Sequence, residues 1–125
     1  MHTFYVDLTI RFVEDVNLDE IEKFLGMKAS KKKTKQESKG KNKFARITFY
    51  TPRTRDFYPT EVLEKFLLKI HENIKKIPQV LKQHNGKASI CIVIDKTQEI
   101  PSLYLSQTVI DILSECKIEF DVDYV

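Results

Sequence analysis

Tryptophan is missing from this chain, and cysteine, glycine and proline are scarce, with two, three and four residues in 125. Two cysteines cannot supply the disulfide framework that holds small secreted domains together. Cys91 lies in the apolar run 90–94 and Cys116 near the end of a helical pattern, so both read as buried thiols. Neither shares metal-ligand spacing with His2, His71 or His84, and no metal or cofactor is expected. The glycines at 26, 40 and 86 stand alone, which excludes a glycine-rich phosphate loop. No apolar stretch approaches the roughly 20 residues of a membrane span, because Lys, Asp or Glu interrupts every run. Residues 1–12 alternate apolar with polar side chains and include Asp7 and Arg11, unlike the unbroken apolar centre of a secretion signal. A cytoplasmic protein without membrane contact is therefore expected.

What remains is globular chemistry: 42% hydrophobic and 31% charged residues, in a chain of the length at which a single domain, here 1–125, builds one core. The charge is unevenly divided. The net value is +3, yet segment 28–43 holds eight Lys and one Glu, a local +7, and the remainder has 13 basic and 17 acidic residues, a charge of −4. The segment lacks apolar periodicity and cannot bury enough surface to offset its ordering entropy, so a mobile Lys-rich loop is expected. Such a loop is either a solvated connection, which loop-closure entropy tolerates, or an electrostatic arm for polyanions. In the second case the anion-binding residues are Lys31, Lys32, Lys33 and Lys35, joined by Arg46, Arg53 and Arg55. These arginines neighbour Phe49, Tyr50, Phe57 and Tyr58, and cations among aromatic rings are ingredients of single-stranded nucleic-acid binding.

The pattern predicts the order β-α-β-α-β-α-β. Phe4, Val6, Leu8, Ile10 and Phe12 alternate with polar residues as in a half-buried strand. Asn17 caps a short helix over 18–25, which Gly26 stops. Segment 44–51 reads as a second strand, and Thr60 caps a long helix striped by Leu63, Leu67, Ile70, Ile74 and Ile77, which Pro78 breaks or kinks. The run 90–94 has the apolar continuity of a middle strand; Ser106 opens a last helix; 118–124 closes the chain as an alternating strand. Alternation implies a half-exposed sheet. The fold expected is α+β, a single mixed or antiparallel sheet of about four strands with helices on one face, nearest to a ferredoxin-like sandwich.

No catalytic constellation is visible. His71 and Glu72 are sequence neighbours and point about 100° apart on a helix, so neither orients the other. The densest titratable group is Glu119, Asp121 and Asp123, which share one face of the last strand. That file is either a solvated polar face or a contact for a basic partner. Three segments then carry a resemblance: VNLDEIEKFLG at 16–26, PSLYLS at 101–106 and IEFDVDY at 118–124. Together they resemble a family of small bacterial proteins known as a domain of unknown function, family 4279. Where that family often begins its second strand with Trp, this chain has Phe44 or Ile47 to fill the place. The resemblance implies no catalytic residues and no cofactor. By size and class such proteins are similar to immunity proteins or antitoxins, which cover a toxin's active site. The expectation is a non-catalytic protein-binding domain, an immunity protein that neutralises a cognate toxin, such as a nuclease, through Glu119, Asp121 and Asp123. The alternative is a nucleic-acid-binding module that uses the Lys-rich loop.

Overall fold

A computed structural model describes residues 3–38, 44–55, 58–95 and 102–125. The elements are β1 (Phe4–Phe12), α1 (Leu18–Leu25), β2 (Lys31–Lys33), β3 (Ala45–Tyr50), α2 (Pro59–Ile74), α3 (Ile77–His84), β4 (Gly86–Ile94), α4 (Gln107–Cys116) and β5 (Ile118–Tyr124). The strands form one mixed sheet in the order β2-β3-β1-β4-β5, antiparallel except for the parallel β4–β5 pair. The α+β expectation holds, with five strands rather than about four. The addition is β2, an edge strand inside the Lys-rich segment. Lysine lowers strand propensity, but pairing with β3 satisfies backbone donors and acceptors that composition alone does not count.

β1 is the central strand, and the apolar run 90–94 lies one place from the centre in β4. On the covered face Val6, Leu8, Ile10 and Phe12 of β1 are fully buried with Ile47, Ile90 and Ile92. Helix stripes complete this single core: Ile21 and Leu25 from α1, Leu63 and Leu67 from α2, Ile77 from α3, and Ile112 from α4. The helix ends follow their local chemistry. The Asn17 side chain accepts the Glu20 N–H, Gly26 closes α1 at φ 73°, and the Ser106 hydroxyl accepts the Val109 N–H. Thr60 does not cap α2. The helix begins one residue earlier at Pro59, whose missing N–H costs nothing in a first turn. Pro78 likewise cannot continue a helix through its own ring, so α2 stops at Ile74 and α3 restarts with the proline in its first turn.

Gly86 begins β4 where space is tight. A Cβ there would lie 2.8 Å from the Phe12 ring and 2.9 Å from the Arg11 carbonyl oxygen. Among the described residues, no helix is long and apolar enough to cross a membrane.

Candidate functional site

The helices leave the other face of the sheet open, and strand register decides what it displays. In one rank across the strands stand Lys33, Arg46, Arg11 and Lys87, from β2, β3, β1 and β4. The next rank holds Lys31, Thr48, Thr9, Ser89 and Glu119, and the one after it Tyr50, Asp7, Cys91 and Asp121. Val93 and Asp123 pair one rank further on. The face is therefore basic at one corner and acidic along β5. The acidic file of the last strand and four of the seven predicted anion-binding residues occupy this one surface.

Chains of contacts separate the two fields. The Thr9 hydroxyl donates to the Asp7 carboxylate at 2.6 Å and meets the Thr48 hydroxyl at 3.1 Å. A carboxylate only accepts, so Thr9 spends its proton on Asp7 and Thr48 must donate to Thr9. Tyr5 and Tyr50 meet edge to face with centroids 6.2 Å apart, and the Arg11 guanidinium lies over the Phe44 ring at 5.7 Å. Between the basic corner and these tyrosines lies a shallow depression of about 500 Å³, walled by Lys31, Lys33, Arg46, Thr48, Tyr50 and Arg53.

The predicted anion-binding residues divide by geometry. Lys31, Lys33 and Arg46 line the depression. The Arg46 Nε is buried and makes no hydrogen bond among the described residues. Lys32 sits at the opposite parity, paired with Ile47, and its ammonium binds Asp19 at 2.5 Å and Glu22 at 3.0 Å on α1. Lys35 donates its backbone N–H to Asp15, and Arg55 is exposed beyond the sheet. Arg53 is already occupied. Its Nη1 reaches both carboxylate oxygens of Asp95, at 2.7 and 2.6 Å, and its guanidinium lies 5.0 Å from the Tyr5 ring centre. The Thr3 hydroxyl also donates to Asp95, and these two partners, Thr3 first, hold its carboxyl below the ordinary 3.8. Arg53 thus ties the chain after β3 to the end of β4. Phe57 and residues 39–43 lie outside the described residues.

Glu119, Asp121 and Asp123 are exposed, as alternation predicts. Cys91 is half-buried between Asp7 and Asp121; burial first, and then the charges of Asp121, Asp123 and Asp7, push its thiol up to about 11. Burial also pushes Cys116 up to about 11. Neither is a thiolate near neutral pH, and thiolate is the reactive form. His71 faces Glu115 of α4 at 3.2 Å, not its sequence neighbour Glu72. Among the described residues no group of three His, Cys, Asp or Glu is placed to hold a metal ion. What sequence reasoning missed is the rank of cations. In the sequence Arg11 reads only as a polar position of an alternating strand and Lys87 is not singled out, and only the register of β1 with β3 and β4 sets them beside Arg46.

These features define a small α+β domain with a one-sided sheet whose free face, among the described residues, is a charged surface. The family model described as a domain of unknown function, DUF4279, matches residues 2–125, and the chain belongs to that family. No curated protein and no solved structure matches the chain.

Proposed function

We propose that this chain is a non-catalytic protein-binding domain that works through the open face of its sheet, as an immunity protein that neutralises a bacterial toxin. The observation that carries this reading is the exposed file of Glu119, Asp121 and Asp123 along β5, extended inward by Asp7. An acidic stripe on a rigid sheet fits a basic cleft, such as that of a nuclease, which must hold phosphates. Covering such a cleft requires no reacting group. Charge complementarity would act mainly on the association rate and on partner choice. The immunity role rests on analogy of size and class, and a cytoplasmic chain suits neutralisation inside the producing cell.

The test is co-expression with a toxin whose gene adjoins the one for this chain. Wild-type chain restores growth, and the triple variant E119K/D121K/D123K does not. Equal rescue by the triple variant would remove β5 from the interface, and no rescue by the wild type would remove the immunity role.

A further inference from the structure

Four cations in direct register are an unfavourable arrangement for a sheet left to itself. Like charges opposite one another on neighbouring strands repel, and each such pair costs a few tenths of a kcal/mol or more. Arg46, Arg11 and Lys87 make two such pairs in succession, and Lys33 adjoins them on β2. Among the described residues no carboxylate forms an ion pair with Arg46, Arg11 or Lys87. Arg46 carries the further cost of a buried Nε without a partner. Nor does the sheet relieve the rank at its far end, because β5 pairs with β4 only from Ala88 onward. A rank of this kind is compensated when an anion lies along it.

We propose that the rank binds the phosphodiester backbone of a single-stranded nucleic acid laid across the strands. Strands are spaced about 4.8 Å apart, so the four cations span about 14 Å, long enough for several phosphates and far more than one small anion needs. The hydroxyls of Thr48 and Thr9 are turned toward Asp7, which leaves charge, not hydroxyl donation, as the means of holding phosphate. Two ranks along β3, across the depression and opposite Asp7, Tyr50 is 48% exposed and offers a ring on which a base can stack. A strand following the rank stays clear of the carboxylates of β5, since the rank ends on β4. This inference does not rest on the protein-binding reading, because its cations come from β2, β3, β1 and β4 and not from β5.

Fluorescence anisotropy of the full chain with a labelled 12-residue oligothymidine, titrated over a range of salt, tests it. Phosphate contacts at Arg46, Arg11 and Lys87 alone predict a slope of log K against log salt of about −2, at roughly −0.7 per contact for single strands. The double variant R11Q/R46Q should flatten the slope by about 1.4. Its melting temperature should match or exceed that of the wild type, since repulsion is relieved. The exposed substitution K87Q should flatten it by about 0.7, which keeps the test open if the double variant folds poorly. Tyr50→Ala should weaken binding at least about fivefold with the slope unchanged. Reversing Glu119, Asp121 and Asp123 should leave binding undiminished, which separates this site from the proposed protein interface. No binding at low salt, or a slope that neither R11Q/R46Q nor K87Q changes, would overturn the proposal; the latter would assign binding to the remaining lysines of segment 28–43.

Discussion

The two faces of the same strands have been given different work. On the covered face of β1, Val6, Leu8, Ile10 and Phe12 have no exposed surface and belong to the hydrophobic core. On the open face of that strand, Tyr5, Asp7, Thr9 and Arg11 are half-buried and take part in stacking, hydrogen bonds and charge ranks. A period of two thus separates the buried apolar side chains from the charged and hydrogen-bonding ones residue by residue. Substitutions on the first face should unfold the protein, and those on the second should change what it binds.

The largest effect is expected in the core. Leu8→Ala should cost about 3 kcal/mol in chemical denaturation, through lost burial and the cavity left behind, while the affinity of the folded fraction is retained. Gly86→Ala comes next, at about 1–3 kcal/mol, because its Cβ would press on the Phe12 ring and the Arg11 carbonyl. A cost near zero there would mean that β1 and β4 can separate at this end.

Asp95→Asn should have a smaller effect that depends on pH. The folded-state pKa of Asp95 lies below 3.8, so its contribution is complete above that value and is lost as pH falls through the lower folded value. The variant should show a lower urea midpoint near neutral pH and converge with wild type in acid; a gap independent of pH would remove the Arg53 and Thr3 contacts as its cause. Least of all, single charge reversals at Glu119, Asp121 or Asp123 should each stay within about 0.5 kcal/mol by thermal melting. A larger loss would show that β5 needs its carboxylates to fold.

The covered face was legible in the sequence because burial imposes a period on single strands and helices. α1 was predicted at its observed bounds, for the capping side chain of Asn17 and the left-handed Gly26 both act within the helix itself. β2 was not legible: Lys31–Lys33 is a strand only because β3 pairs with it. The acidic file of β5 could be seen because it lies within one strand. The cationic rank could not, because its members come from four strands and register is a property of pairs. The ion pair of Arg53 could not be seen for a related reason. The arginine is close in sequence to aromatic residues, but its partner Asp95 is 42 residues away.

The central claim is that the open face, and β5 within it, is the partner-binding surface. Calorimetric titration of a purified toxin that this chain neutralises in the co-expression test, into wild-type chain and into E119K/D121K/D123K, with the fold of both checked by circular dichroism, tests it most directly. The account predicts that the folded triple variant binds at least about tenfold more weakly, with the loss greatest at low salt. Equal affinity of the two folded proteins would contradict it.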